Sequence, residues 1–229
     1  MDRHLIVVRH GNTFEPGAPP RRIGRRTDPP LTAAGLAQAE RVAAWLAGRG
    51  LEPGELCAAP LARTLRTARA IAALTAAPGR APRPVTADDR LSEIDHGPDE
   101  DKTEPEVEER LGRLLLAGGD TAAPGEARAA GRMVLDGWNR EAKAPPGWEV
   151  DPPAIERTWR DYAERALSAS RPVLAVTSNG VARFSPAILP GGRASLADGS
   201  RGLKIAPGAL CWFLHDGRAW RCAEWNLLP

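Results

Sequence analysis

The stretch Leu5-Ile6-Val7-Val8-Arg9-His10-Gly11-Asn12-Thr13 decides how the rest of this chain is read. An apolar, mostly β-branched run passes straight into an arginine, a histidine and a glycine. Such a run, with no polar alternation, is the pattern of a strand buried on both faces, as in a parallel sheet covered by helices. Ligands bind such sheets beyond the carboxyl ends of the strands, so Arg9, His10 and Gly11 stand where chemistry is usually placed. A basic turn of this length identifies nothing alone. Its meaning depends on whether the chain supplies partners for it.

Working outward, Asn12 to Pro30 is rich in Pro, Gly and Arg and reads as a long loop over the strand ends. Thr32 then caps a helix carrying Leu36, Ala39, Ala43 and Leu46 on one face, which stops at Gly48 and Gly50. A short strand over Leu56 to Ala59 leads through Pro60 into a second helix, with Leu61, Leu65, Ala68 and Ala72 as its expected buried stripe. Arg63 falls in the first turn of that helix, where the dipole already favours an anion. A strand-like Pro84 to Ala87 precedes Asp89-Arg90-Leu91-Ser92-Glu93-Ile94-Asp95-His96-Gly97. If that segment is extended, Glu93 and Asp95 share one face, with Ile94 and His96 on the other, which makes His96 a packing residue. Val173 to Val176 predicts another buried strand. Ala209 to His215 and Arg218 to Trp225 read as a hairpin around Asp216-Gly217, a type I′ turn signal.

Composition narrows the possibilities. At 229 residues the chain fits one domain over 1–229, with a helical insertion at about 98–170. The formal net charge of +2 has no basic run behind it, so no nucleic-acid partner is expected. Met1-Asp2-Arg3-His4 leads into an apolar run too short for a secretory signal, and no segment reaches membrane-spanning length, so no membrane partner is expected either. Cys57, Cys211 and Cys222 are odd in number and lack metal spacing, which predicts reduced thiols and a cytoplasmic protein. The histidines, His4, His10, His96 and His215, lie far apart, so no metal site is expected. No G-x-x-x-x-G-K or G-x-G-x-x-G follows a predicted strand, which argues against a nucleotide-binding enzyme.

Several blocks in order resemble one known family. Arg9-His10-Gly11, the phrase Asp28-Pro29-Pro30-Leu31-Thr32 with Gly35 and Gln38, Pro60-Leu61-x-Arg63-Thr64-x-x-Thr67-Ala68, and Leu91-x-Glu93-x-x-x-Gly97 are similar to the successive signatures of the histidine phosphatase superfamily. The resemblance implies an α/β fold of the phosphoglycerate mutase-like kind: a three-layer α/β/α sandwich with a mostly parallel central sheet. It implies that His10 carries a phosphoryl group as phosphohistidine, that Arg9 and Arg63 meet the phosphoryl oxygens, and that Glu93 protonates the leaving oxygen. Such a nucleophile must be a neutral imidazole held in one tautomer. The planar guanidinium fork suits the phosphoryl oxygens better than lysine does.

The chain departs from the family in named places. The second histidine expected after Val173-Leu174-Ala175-Val176-Thr177 is missing, and aligning on Gly180-Val181 and Arg183 puts Ser178 in its place with Asn179 beside it. Ala59 stands where the family usually has Ser. Pro16 stands where its mutase branch has Asn, which leaves Asn12 or Thr13 to supply that hydrogen bond. Gly11 leaves room for a backbone carbonyl or a phosphate. Gly11, Asn12, Thr13, Ser178 and Asn179 are thus the expected substrate-binding residues. The leading expectation is a phosphomonoesterase for a small phosphorylated metabolite, without cofactor. The alternatives are a phosphate- or phosphometabolite-binding module of the same fold and, fitting worst, a phosphoglycerate mutase.

From Pro98 to Ser170 the chain leaves the family's core. Thr103-Glu104-Pro105-Glu106 has capping-box spacing for a helix through Val107, Leu111 and Leu114 that stops at Gly118-Gly119. A second helix is expected near Gly125 to Trp138. A third, capped by Asp151, carries Ile155, Trp159, Tyr162 and Ala166 on one face. The whole is expected to pack near the pocket mouth.

Overall fold

The computed structural model describes residues 2–116, 123–196 and 202–229. Its sheet has the order β3-β2-β4-β1-β5-β6. The strands are β1 (Arg3–Arg9), β2 (Glu55–Ala58), β3 (Val85–Ala87), β4 (Val173–Thr177), β5 (Leu210–His215) and β6 (Trp220–Leu227). β3, β2, β4 and β1 run parallel, and the closing hairpin β5-β6 adds antiparallel to β1. The fold is therefore α/β with a mostly parallel sheet.

The continuous apolar run has the expected consequence. Leu5 and Val7 enter one core cluster while Ile6 and Val8 enter the other, so β1 is covered on both faces. The second cluster holds α1 (Ala33–Ala47) and α2 (Ala62–Leu74) against the sheet. The first holds Trp159, Tyr162, Ala163 and Ala166 of α5 (Pro152–Ser168) on the opposite face. Next to it lies the helical hairpin of α3 (Glu104–Leu115) and α4 (Pro124–Glu141).

Three expectations need correction. Of the segment 98–170, α5 is not only a border of the pocket but a covering layer of the sheet: Ile155 and Thr158 line the cavity beside Glu93, while the Trp159 indole N–H donates to the Val181 carbonyl at 2.9 Å and its ring is fully buried. The buried face of α2 is turned from the stripe read off its leucines; Arg63, Thr64, Thr67, Ala68, Ile71 and Ala72 are buried, whereas Leu65 is only half-buried. Polar side chains tolerate that position because each hydroxyl is satisfied, Thr64 donating to the Ala59 carbonyl at 2.7 Å and Thr67 to the Arg63 carbonyl at 2.8 Å. The final hairpin does not turn on a type I′ pair, since only Gly217 has a positive φ, 93°. Asp216 instead accepts from the amides of Arg218 and Ala219, making a longer loop.

The local helix signals read from the sequence are present. Thr32 accepts from the Gly35 amide at 3.0 Å and Asp151 from the Ala154 amide at 2.9 Å. The Thr103 amide donates to the Glu106 carboxylate at 2.7 Å. The stop expected at Gly118-Gly119 lies outside the described residues.

Candidate active site

His10 leaves the end of β1 held on both sides. Its amide donates to the Thr177 carbonyl of β4, and its own carbonyl accepts from the Gly208 amide before β5, each at 3.0 Å. The next residue is pressed onto the first turn of α1, and a Cβ on Gly11 would sit 2.1 Å from the Gly35 carbonyl oxygen. The room at Gly11 is thus taken by a backbone carbonyl. Thr67 accepts from the Gly11 amide at 3.2 Å, so the helix that bears Arg63 also holds the histidine loop.

The imidazole is 7% exposed, and its Nδ1 lies 2.7 Å from the Gly11 carbonyl oxygen. A carbonyl can only accept, so Nδ1 carries the proton and Nε2 keeps its lone pair. Burial holds the His10 pKa well below the usual histidine value, and the charges of Arg9 and Arg63 push it the same way. The residue is a neutral imidazole in one tautomer.

The arginines around it are buried and incompletely hydrogen-bonded. Arg9 donates to the Ile205 carbonyl at 2.5 Å, and its buried Nε has no partner among the described residues. Burial pushes its pKa down to about 10, against the raising effect of Glu93. Arg63 has no exposed surface and is oriented by one loop, donating to the carbonyls of Gly24 and Thr27 at 3.0 and 2.7 Å and to Asp28 Oδ1 at 3.2 Å. Its Nε is likewise unmatched. Asp28 also accepts from the Ala62 amide at 2.7 Å, serving as the cap that Leu61 cannot be. Behind this loop, the Glu100 carboxylate accepts from the Gly24 amide at 2.9 Å, and its pKa is held down to about 2 with His96 facing it. His96 is itself buried, edge-on to Trp148 at 4.5 Å, which bears out its packing role.

Glu93 is 5% exposed and accepts from the Ile94 amide at 3.0 Å and the Gly180 amide at 3.1 Å. It is brought there by the short 3₁₀ turn Asp89–Leu91, whose Leu91 carbonyl accepts from the Thr177 hydroxyl at the end of β4. Glu93 acts electrostatically on Arg9, Arg63 and Arg183, tying these four residues into one charged group.

Two open cavities flank the group. One of about 640 Å³ is lined by Arg9, His10, Gly11, Asn12, Thr13 and Asn179, with Arg21, Arg22 and Lys204 among the rest of its wall. Another of about 540 Å³ is lined by Glu93 with Ile94, Trp148, Ile155 and Thr158. Asn12 spends its amide on the Phe14 carbonyl, and Asn179 accepts from the Ile205 amide. Of the two residues at the position of the missing histidine, Asn179 lines the first cavity and Ser178 does not. The Ser178 hydroxyl is buried without a hydrogen-bond partner among the described residues.

Sequence reading missed Arg22, Asp28 as a ligand of Arg63, Glu100, Arg183 and Lys204. Arg183 is fully buried, lies 3.9 Å over the Trp138 ring and donates to the carbonyls of Trp138 and Asn179. A basic residue inside an otherwise apolar stretch was the available signal for it. No group of three or more His, Cys, Asp and Glu side chains that could hold a metal occurs among the described residues.

The profile of the histidine phosphatase superfamily (branch 1) matches residues 5–228, and the chain belongs to that superfamily. Among solved structures it is similar to a protein described as mycobacterial hydrolase 1, with 24% identity, all of both chains covered and a TM-score of 0.69. It is also similar to mycobacterial glucosyl-3-phosphoglycerate phosphatase with bound VO3, at 24% identity, 98% of each chain and a TM-score of 0.68. Phosphoglycerate mutase from Bacillus anthracis has 15% identity over 99% of this chain and 94% of its own, with a TM-score of 0.68. No curated protein matches by sequence. The likeness to these structures shows the phosphoglycerate mutase-like fold, and the superfamily match supports an enzyme of phosphatase type. No described helix is long and apolar enough to cross a membrane.

Proposed function

We propose that this chain hydrolyses a small phosphorylated metabolite through a phosphohistidine at His10. The observation that carries the reading is the Nδ1 contact with the Gly11 carbonyl, which leaves Nε2 unprotonated in a cavity that also holds Arg9. Nε2 attacks phosphorus, forming the N–P bond as the P–O bond to the alcohol breaks. Glu93 gives its proton to the departing oxygen. Ionised Glu93 then takes a proton from water, whose oxygen attacks phosphorus and releases His10 with inorganic phosphate. Arg9, which lines the cavity, and Arg63, which is fully buried off its wall, stabilise the charge on the transferring oxygens at both steps. Asn12, Thr13 and Asn179 shape the wall next to the phosphoryl group. No step calls on a metal or an organic cofactor. The cysteine pattern supports the cytoplasm as the place of action, with neither nucleic acid nor membrane as partner.

A second reading, a phosphate-binding module without turnover, is favoured by one observation: a neutral, buried serine stands where the family's second histidine should be. A phosphate-ester panel with and without chelator, followed by rapid quench with an activated ester, separates the two. Chelator-insensitive turnover with label on His10 supports hydrolysis. Tight phosphate binding with neither turnover nor labelled His10 would replace it by the binding module.

A further inference from the structure

The cavity at His10 is much larger than a phosphoryl group requires and falls in the range of sites that enclose a whole small molecule. Its charged wall is uneven. Arg22 is held by Glu104 and lies 5.4 Å over the Trp148 ring, while its buried Nε has no partner among the described residues. Arg21 donates to the Asp101 carbonyl at 2.6 Å. Lys204 lines the same cavity, and no described residue forms a hydrogen bond or ion pair with its ammonium. Of the carboxylates on this wall, Glu104 is spent on Arg22, and Glu15 belongs to the loop after His10 without an ion pair to Lys204.

We propose that Lys204, with Arg22 on the same wall, receives a second anionic group on the alcohol part of the substrate, a carboxylate or another phosphoryl. This rests on the phosphatase reading for the first phosphoryl position, next to His10 and Arg9. Arg9 and Arg63 are assigned to the scissile phosphoryl group and Arg22 is partly neutralised, so Lys204 is an exposed cation on the wall, unpaired among the described residues, that an anionic alcohol would engage and a neutral one would leave in water. A cation here is a specificity residue: it selects which ester is retained and takes no part in bond breaking.

Phosphonates test this without relying on turnover, because their C–P bond is not hydrolysed. Binding of alkylphosphonates, ω-phosphonocarboxylates and α,ω-diphosphonates of two to six carbons is measured by calorimetry on the native protein. One chain length should bind about tenfold or more tighter when it ends in an anion than when it ends in methyl, as expected for one charge-assisted contact. Lys204→Gln should abolish that preference and Lys204→Arg should keep it. The carboxylate and phosphonate arms tell which anion is meant. A preference below twofold at every length, one equal at all lengths, or one unchanged in Lys204→Gln would overturn the proposal. Turnover of simple esters without the preference would leave the phosphatase reading standing; the preference without turnover of any ester would do the reverse.

Discussion

The Gly180 amide donates to Glu93 at 3.1 Å, and a Cβ at position 180 would lie 2.3 Å from the other oxygen of the same carboxylate. The start of the short helix α6 (Asn179–Ala182) therefore both holds Glu93 and forbids a side chain beside it. Gly180→Ala should shift the carboxylate, with an overpacking cost of about 1–3 kcal/mol. Glu93→Gln removes the proton without changing the shape, and loss of a general acid costs about 10²–10⁴ in rate. Both variants should slow alkyl phosphates far more than aryl phosphates, whose leaving oxygen needs little protonation. Equal losses on the two ester classes would remove Glu93 from the acid role.

Among the described residues the Arg63 guanidinium donates only to the loop Gly24 to Asp28, and that loop is held by Glu100. Asp28→Ala leaves a buried guanidinium with one partner fewer, at a cost of about 1–3 kcal/mol in a denaturant titration. The looser Arg63 should raise KM for every phosphate ester alike. Glu100→Gln should act in the same direction, since it weakens the acceptor for the Gly24 amide. An unchanged KM in both variants would show that Arg63 does not touch substrate.

Ser178 offers a different test because its hydroxyl is buried without a partner among the described residues and stands off the cavity wall. Ser178→Ala should not destabilise the fold, since it loses no hydrogen bond and removes a buried hydroxyl that has no such partner. Turnover should fall by less than about tenfold, well short of the ~10²–10³ that follows loss of a preorganised oxyanion donor. A fall of that larger size in single-turnover kinetics would give Ser178 the lost histidine's role in stabilising the transition state.

His10 makes stability and activity depend on pH in a defined direction. Its folded pKa lies well below the ordinary value of 6.5, first because of burial and then because of Arg9 and Arg63. Between those two values the unfolded chain binds a proton that the folded one refuses. Folding stability should therefore be fullest above pH 6.5 and decline below it, by at most about 1.4 kcal/mol per pH unit. His10→Asn should be free of this decline, so the stability gap between wild type and variant should shift in favour of the variant as pH falls. The acid limb of kcat/KM should lie below pH 6.5, because the nucleophile stays neutral there. A limb centred at 6.5, or parallel stability profiles, would contradict the buried neutral imidazole.

The run Leu5 to Val8 by itself determined a strand covered on both faces, because no alternation of polarity was left to solvate either one. Thr32 and Asp151 likewise marked helix starts, because a cap is satisfied within three residues of itself. The Arg-His-Gly turn and the arginine in the first turn of a helix were legible for the same reason: each depends on a strand end or helix start encoded next to it. Contacts that close over long stretches of chain were decided only by the tertiary structure. The Arg63 guanidinium reaches the Gly24 carbonyl, the Arg22 side chain reaches Glu104, and Lys204 joins the wall beside His10. The depth of α5 was settled there too, since an amphipathic stripe says that a face is buried and not against what. A periodic pattern records only the burial of its own element. Which charges end up sharing one cavity is set by how the sheet and its loops close around them.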